Sequence, residues 1–311
     1  MSKNVNETNA LLVDAGQSSV RFRYIQGAHE TEWDLEKIDT AKSVPEQLIQ
    51  RLHHFFEEAQ DTPDVVAISS TGISDKSAAS KLIFDYVSAH GGRKVMLAHD
   101  SIGGYLSCLN TDLGAMSAVG TGVVTLALGA SGFSRVDGWG NLIGDAGSGF
   151  WIGRLALESA MRAYDGRGDE TQLMQVMMDT FPDLENAYLD LQSDEARVSR
   201  IASFAKVTIE LSDSDAVARQ ILTSAVHEIT ISIFSALKRS GFQVGEPANV
   251  SWTGKVARSD RFSSMLQSQL LAAWPELKII EPKGEPIDGV ATLIELDSGS
   301  PILEHVTVLG T

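Results

Sequence analysis

Short apolar runs and helical apolar stripes alternate along the first hundred residues of the chain. Apolar runs of this length predict strands, while apolar residues that recur every three or four positions predict helices. The first two strands flank a Gly16-Gln-Ser-Ser turn, which predicts a hairpin. A third strand can follow it before the first helix. The predicted strands are Ala10–Ala15, Val20–Ile25, Val65–Ser69 and Lys94–Ala98, and the predicted helices are Val44–Ala59 and Ala78–Ala89. This order is typical of a mixed sheet with helices packed on it.

A similar order begins again after residue 114. Three strands come first, a mostly helical region follows over Glu170–Gly241, and strands and helices then alternate to the end. The strands are Ala115–Val119, Val123–Leu128, Phe133–Val136, Val250–Trp252 and Lys278–Ile280, and the helices are Gly147–Tyr164, Phe262–Ala273 and one from Asp288. We therefore predict an α/β protein with two domains, residues 1–110 and 111–311, the second carrying a helical insertion at about 165–240.

Composition and charge narrow the function classes. The 311 residues carry a formal net charge of −16 at pH 7, which argues against a nucleic-acid partner because a phosphate backbone requires a basic face. Cys108 is the one cysteine, so neither an intrachain disulfide nor a zinc site of several thiolates can form. The polar N-terminus lacks the apolar core of a signal peptide, and no apolar run reaches the ~20 residues of a membrane helix. We expect a cytoplasmic protein without a membrane partner.

Three glycine-bearing turns follow predicted strands and carry polar residues. Glycine costs roughly 0.5–1 kcal/mol inside regular structure, so dense glycines indicate tight turns or close ligand approach. The turns are Asp14-Ala-Gly16-Gln17-Ser18-Ser19, Gly120-Thr121-Gly122 and Thr253-Gly254-Lys255. Backbone amides of such turns can face a phosphate, and serine hydroxyls add donors. Each turn taken alone is equally compatible with a plain hairpin or loop, and none is a P-loop.

Three carboxylates are candidates for chemistry. Asp14 ends a predicted strand, where it can hold a metal through water or simply close a turn. Asp100 follows the Lys94–Ala98 strand at an edge where α/β folds place ligands, although from spacing alone it is more easily explained as a helix cap. Asp145 precedes a helix N-terminus and is surrounded by glycines that a cap does not need, so we favour a functional role.

Together these segments resemble the acetate kinase–sugar kinase–heat-shock protein–actin superfamily. The closer resemblance is to its BadF/BadG/BcrA/BcrD branch, which includes N-acetylglucosamine and glucosamine kinases. Asp14–Ser19 resembles the first phosphate loop, Ala98-His-Asp100-Ser the catalytic-base segment, and Gly120-Thr121-Gly122 the second phosphate loop. Gly138-Trp139-Gly140…Gly144-Asp145-Ala-Gly-Ser is similar to the branch signature Gly-Trp-Gly…Gly-Asp-Glu-Gly-Ser, and Thr253-Gly254-Lys255 resembles the adenosine turn. The segments occur in the family order from Leu11 to about Leu296.

The resemblance implies two RNase H-like (actin-like ATPase) domains, with mixed sheets flanked by helices and an interdomain cleft. It implies an ATP-dependent kinase that transfers the γ-phosphate of MgATP to a hydroxyl of an N-acetylglucosamine- or glucosamine-type sugar. Asp100 would be the general base, and Asp14 and Asp145 would lie near Mg²⁺. The ATP-binding residues would be Gly16, Gln17, Ser18, Ser19, Gly120, Thr121, Gly122, Gly254 and Lys255, and the sugar-binding residues Asp100, Gly138, Trp139, Gly140 and Asp145.

Two departures from the family pattern keep a second function open. Val123 stands where amino-sugar kinases usually carry serine, and Ala146 replaces the usual glutamate. The alternative is a nucleotide- or sugar-binding regulator, or a degenerate ATPase without turnover. An iron–sulfur activator of the same branch is disfavoured, because a dimer of this chain supplies only two Cys108 thiolates and not four. An actin-like filament protein is the alternative that the sequence favours least.

We expect a homodimer, and a long helix such as Ser224–Ser240 could supply a face for it.

Overall fold

The computed structural model describes residues 9–16, 19–40, 42–58, 62–73 and 76–311, which form two compact units. The first unit combines Met1–Thr111 with Pro282–Thr311, and the second is Asp112–Glu281. The first contains β1 Ala10–Ala15, β2 Val20–Gln26, β3 His29–Leu35, α1 Val44–Glu58, β4 Val65–Ser70, α2 Lys76–Ala89, β5 Lys94–His99, α3 Asp100–Leu109, α10 Pro286–Glu295, a 3-10 helix Pro301–His305 and β11 Thr307–Gly310. The second contains β6 Gly114–Val119, β7 Val123–Gly129, β8 Gly132–Asp137, α4 Gly149–Tyr164, α5 Leu173–Thr180, α6 Ala187–Ser193, α7 Arg197–Leu211, α8 Ala216–Arg239, β9 Ala248–Thr253, α9 Asp260–Ala273 and β10 Leu277–Ile279.

The first unit is built on a six-stranded mixed sheet in the order β11-β5-β4-β1-β2-β3. β1 pairs in parallel with β4 and antiparallel with β2, and β4 pairs in parallel with β5. All six residues of β4 are buried, as expected for a central strand covered on both faces. At the edge, β3 alternates charged exposed residues with half-buried Trp33 and Leu35, a composition that discourages pairing with another chain.

The second unit has a five-stranded sheet in the order β10-β9-β6-β7-β8. β6, β7 and β8 form an antiparallel meander, and β6 and β9 as well as β9 and β10 pair in parallel. The first unit repeats this arrangement, because β1–β5 follow the same relative order as β6–β10. Two mixed sheets flanked by helices confirm the predicted α/β fold.

The C-terminal segment differs from the predicted division at residue 110. Residues 282–311 pack in the first unit, although we expected them in the second domain. The physical reason is pairing: β11 adds to β5 as an antiparallel edge strand, and α10 packs against α3. Neither the 3-10 helix nor β11 was predicted from the sequence.

The longest helix, α8, forms the centre of the second unit. Its residues Ile221, Ala225, Ile229 and Ile233 are buried in the apolar core, as the helical stripe predicted. By length and composition α8 resembles a membrane span, but more than half of its most apolar window is buried inside the protein, as in a core helix.

Candidate active site

Asp14 and Asp100 lie at the same edge of the first unit's sheet. In the strand register, Asp14 of β1 pairs with Ser69 of β4, and Ser69 pairs with Ala98 of β5, two residues before Asp100. Because β1, β4 and β5 are parallel, their carboxyl ends meet at one edge, where α/β proteins bind ligands. Topology therefore brings the two predicted carboxylates together.

The pKa of Asp14 is raised to about 7. The main cause is burial, which removes the carboxylate from water, and the nearby negative charge of Asp100 acts in the same direction. Arg21 on β2 opposes both effects, but its guanidinium also donates to Glu285 and Asp34. A buried carboxylate beside a second carboxylate is typical of a site that a cation completes.

Asp100 is the first residue of α3, and the N-cap of that helix is His99. Asp100 is therefore not the N-cap of this helix, although its spacing in the sequence favoured that role. His99 Nδ1 lies 2.7 Å from Asp100 Oδ1, a distance that fits a ring N–H donating to the carboxylate. Ser101 Oγ lies 2.8 Å from the same nitrogen, and the Ser101 backbone amide lies 3.3 Å from it. The amide can donate only to an Nδ1 that carries no proton, so the bond to Asp100 and the bond from the amide belong to different protonation states of the ring. The Asp100 side chain is 34% exposed, so it can contact a substrate.

The first glycine turn is held by backbone hydrogen bonds. Gly16 N donates to Ser19 O at 2.9 Å, and Ile38 N donates to Gly16 O at 3.0 Å. The predicted ATP-binding residues Gln17 and Ser18 lie outside the described residues. Gly16 and Ser19 thus form a tight turn directly after the strand that carries Asp14.

The second unit brings together the other predicted phosphate and adenosine turns. Gly149 N, at the start of α4, donates to Gly120 O at 2.8 Å, and Phe150 N donates to Thr121 O at 3.0 Å. The Thr253-Gly254-Lys255 turn lies against the same strand end, where Val256 N donates to Val119 O at 3.1 Å. The first two amides of α4 therefore bind carbonyl oxygens of the Gly120–Gly122 turn, which fixes the turn at the positive end of the helix dipole.

Asp145 is buried beside this turn. Its side chain lies so close to Gly122 that a Cβ added there would be 2.7 Å from Asp145 Oδ2. The pKa of Asp145 is raised chiefly by burial, and the charge of Asp137 adds to the effect, while hydrogen bonds from the backbone of Val123 and Gly140 oppose it. A side chain at position 122 would displace the Asp145 carboxylate, which the backbone amides of Val123 and Gly140 hold in place, so glycine is favoured there.

Asp137, at the end of β8, is a site residue that the sequence analysis missed. Its Oδ1 accepts hydrogen bonds from Gly138 N at 2.8 Å and Asp145 N at 2.9 Å, with Trp139 N more distant at 3.5 Å. Its Oδ2 accepts from Ala146 N at 3.1 Å. This one carboxylate therefore closes the loop that carries the predicted sugar-binding residues. Its position directly before Gly138-Trp139-Gly140 is the signal that a sequence reading can use.

Trp139 is presented at the surface of the same loop. Its side chain is exposed to 59%, and the Arg135 guanidinium lies 4.8 Å from its ring centroid. Arg135 also donates to the carbonyl oxygens of Asp137 and Gly138, so its guanidinium holds the start of the loop in addition to the Asp137 carboxylate. Gly138, Trp139, Gly140 and Asp145, all predicted to line a sugar site, belong to one loop with an exposed aromatic ring and a buried carboxylate.

Two relatives identified by sequence similarity are both described as N-acetylglucosamine kinases. The chain is 27% identical over 194 residues to an N-acetyl-D-glucosamine kinase of Dictyostelium discoideum, with 58% of each chain covered. It is 23% identical over 268 residues to an N-acetylmuramic acid/N-acetylglucosamine kinase of Clostridium acetobutylicum, with 82% of this chain and 85% of the relative covered. The chain thus spans little more than half of the first relative and most of the second.

A solved structure shows the same fold. A candidate N-acetylglucosamine kinase from Chromobacterium violaceum superposes with a TM-score of 0.71 at 17% identity, covering 94% of this chain and all of the other. The model of the BadF/BadG/BcrA/BcrD ATPase family matches residues 7–292. Since this match includes nearly every element of both units, the chain belongs to the BadF/BadG/BcrA/BcrD ATPase family.

Proposed function

We propose that the protein is an ATP-dependent sugar kinase that transfers the γ-phosphate of MgATP to a hydroxyl of an N-acetylglucosamine- or glucosamine-type sugar. The observation that carries the proposal is the pair Asp14 and Asp100 at the carboxyl edge of one sheet in a member of an ATPase family. Relatives described as N-acetylglucosamine kinases support the choice of acceptor.

Asp100 is the proposed general base. The sugar hydroxyl oxygen attacks the γ-phosphorus, the bond to the β-phosphate oxygen breaks, and Asp100 accepts the hydroxyl proton. Phosphoryl transfer passes through a loose transition state, to which the protein contributes mainly positioning and charge neutralisation. The hydroxyl proton therefore leaves late, and an ordinary carboxylate suffices. Contact with His99 orients the Asp100 carboxylate for this role.

Nucleotide and metal have separate proposed ligands. The turns formed by Gly16 and Ser19 in the first unit and by Gly120, Thr121 and Gly122 in the second would hold the phosphates, and Gly254 and Lys255 would hold the adenosine side. The amides of Gly16 and Gly120 close these turns by bonding to Ser19 O and Gly122 O, so the donors would be the remaining amides and the hydroxyls of the turns. Asp14 fits a magnesium ligand, because burial and Asp100 both disfavour its unneutralised charge. Magnesium typically takes only one or two protein carboxylates and uses water and phosphate oxygens for the rest. Asp145 remains the second predicted ligand.

The sugar would contact the loop that Asp137 closes. Trp139 offers an exposed aromatic ring and Asp145 supplies a carboxylate, while Gly138 and Gly140, both at positive φ, shape the loop that presents them. The competing function is a nucleotide- or sugar-binding regulator without turnover, which the alanine at position 146 favours. The expected cytoplasmic location, the homodimer, and the lack of nucleic-acid and membrane partners stay predictions.

Measuring ADP release with a panel of amino sugars and hexoses, in wild type and Asp100→Asn, tests the proposal. A positioned general base contributes typically 10²–10⁴-fold, so we expect Asp100→Asn to lower kcat by about 10²-fold or more. ATP affinity, measured by calorimetry, should change little. Asp85→Asn, an exposed helix residue paired with Lys81, is the matched control and should keep full turnover.

Two outcomes would contradict separate parts of the proposal. ATP binding without acceptor-dependent ADP release for any sugar would support the regulator instead. Full turnover in Asp100→Asn would remove Asp100 from the role of base while leaving the kinase activity itself established.

A further inference from the structure

A cavity of about 330 Å³ lies between α1 and the outer strands β2 and β3 of the first unit. Its size is within the range of small-molecule sites. The residues around it include neither Asp14 nor Asp100, nor any residue of the glycine turns. The cavity is therefore separate from the proposed kinase residues and calls for its own explanation.

Aromatic rings form the walls of the cavity. Phe55 of α1 meets Tyr24 of β2 edge-to-face at 5.3 Å between ring centroids, and it meets Trp33 of β3 edge-to-face at 5.9 Å. Phe22 and Leu35 extend the apolar wall along the strands. Since these rings brace one another, the cavity presents a fixed apolar surface suited to a flat or compact apolar body.

The two ends of the cavity differ in charge. Arg51 and Glu58 both line it from α1, seven residues apart, which separates them by about 10 Å along the helix axis. Glu58 lies near His54, whose Nε2 is 3.6 Å from Glu58 Oε1 and is charged only when the ring is protonated. The carboxylate of the cavity lining is thus at the end away from Arg51.

The Arg51 end is different. Its guanidinium donates to the carbonyl oxygens of Glu36, Gln47 and Lys37 at 2.8–2.9 Å, which fixes its position. Throughout the part of the chain that the structure describes, no carboxylate lies within ion-pairing distance of it. A guanidinium has five N–H donors, so two remain after these three bonds. Arg51 thus brings a positive charge held in a fixed position to the lining of an apolar cavity, and such a charge is complementary to a carboxylate.

We propose that this cavity binds a small amphipathic carboxylate, with its apolar body among Tyr24, Trp33 and Phe55 and its carboxylate on Arg51. Charge-assisted hydrogen bonds are about twice as strong as neutral ones. The carboxylate group therefore supplies specificity, and the aromatic walls supply contact area. The site is independent of the kinase reaction, so its test does not depend on turnover.

Calorimetric titration with 3-phenylpropionate and with its neutral analogue 3-phenylpropionamide is the direct test. Hydrogen bonds to charged groups contribute about 1.5–3 kcal/mol, so the carboxylate should bind at least about 10-fold more tightly than the amide. In Arg51→Gln this ratio should fall to near one. Arg93→Gln, an exposed arginine paired with Asp64 in the same unit, should keep the wild-type ratio.

A second variant keeps Arg51 intact. Thr31→Trp places a bulky ring at the rim of the cavity, at an exposed position on the same face of β3 as Trp33 and Leu35, so both probes should lose binding while the melting temperature is maintained. Equal affinity for the two probes in wild type, no binding of either, or unchanged binding in Thr31→Trp would each overturn the proposal. If Arg51→Gln fails to fold, the wild-type ratio and Thr31→Trp still decide.

Discussion

At the scale of single residues, the buried carboxylate of Asp14 should destabilise the protein when no nucleotide or metal is bound. Its pKa is about 7 in the folded chain, against the ordinary aspartate value of 3.8. Between these values the folded state holds a proton that the unfolded state has lost, so stability falls as the pH rises from about 4 to about 7. The full effect is on the order of 4 kcal/mol above pH 7. Asp14→Asn should therefore melt at a higher temperature than wild type at pH 8, and the difference should vanish near pH 4.

Melting curves between pH 4 and pH 8 measure this effect. Asp85→Asn, at an exposed carboxylate of α2 that pairs with Lys81, is the control and should keep the wild-type pH dependence. A lower melting temperature for Asp14→Asn at pH 8 would contradict the interpretation. Kinase turnover, measured in parallel, should be lost in Asp14→Asn although the protein is more stable, because the charge that costs stability is the one proposed to hold magnesium.

Asp137 should position the sugar loop without touching the sugar. Asp137→Ala leaves the amides of Gly138, Asp145 and Ala146 without their acceptor, which should cost roughly 1–3 kcal/mol of stability. Because the loop carries Trp139 and Asp145, we expect KM for the sugar to rise while ATP affinity is nearly unchanged. Steady-state kinetics with each substrate varied separately makes the measurement. Equal effects on both substrates would indicate general loosening of the unit instead.

Asp137 also shows what the sequence could not reveal at this scale. Asp145 was predicted to be a site residue because glycines surround it and a helix follows it. Asp137 binds amides up to nine residues further on, and this contact exists only after the loop has closed. The position of Asp137 before Gly138-Trp139-Gly140 could have marked it as a candidate, but its backbone partners could not be predicted, because backbone amides leave no trace in the sequence.

At the scale of elements, the crossing of α3 and α10 should control the placement of Asp100. Gly289 of α10 lies directly against the carbonyl oxygen of Gly103 in α3, and a Cβ added at 289 would overlap that backbone atom. Alanine normally favours a helix over glycine by about 1 kcal/mol, but backbone cannot yield here, and overpacking costs typically 1–3 kcal/mol. Gly289→Ala should therefore lower stability in urea unfolding. It should also lower kcat, since α3 begins at Asp100.

Gly299→Ala provides the matched control, because a Cβ at that position meets nothing within 4 Å. It should change the free energy of unfolding by less than about 0.5 kcal/mol. An unchanged free energy of unfolding in Gly289→Ala would show that the two helices can move apart without loss of stability.

The helix α10 itself could be predicted from the sequence, because its apolar stripe is regular. Its partner could not, because a contact between Gly103 and Gly289 spans 186 positions and leaves only two small residues as evidence.

At the scale of the whole molecule, the repeated order of strands and helices was sufficient to predict two mixed α/β units. The same periodicity predicted the end of the first unit near residue 110 and the helical region after α4. It did not predict that the chain returns to the first unit after Glu281. The four-residue strand β11 alternates half-buried and exposed positions, so it has no strong apolar signal. Only its pairing with the buried strand β5 makes it a strand.

The discontinuity of the first unit leads to a prediction about fragments. Residues 112–281 contain a complete five-stranded sheet and a continuous apolar core, so this fragment should unfold cooperatively on its own. Residues 1–111 lack β11 and α10, which leaves β5 as an uncovered edge and exposes the buried face of α3, so they should aggregate. Joining 1–111 to 282–311 through a glycine–serine linker should restore cooperative melting, measured by circular dichroism. The same linker followed by a scrambled 282–311 sequence should not, and cooperative melting of 1–111 alone would show that the returning segment is dispensable.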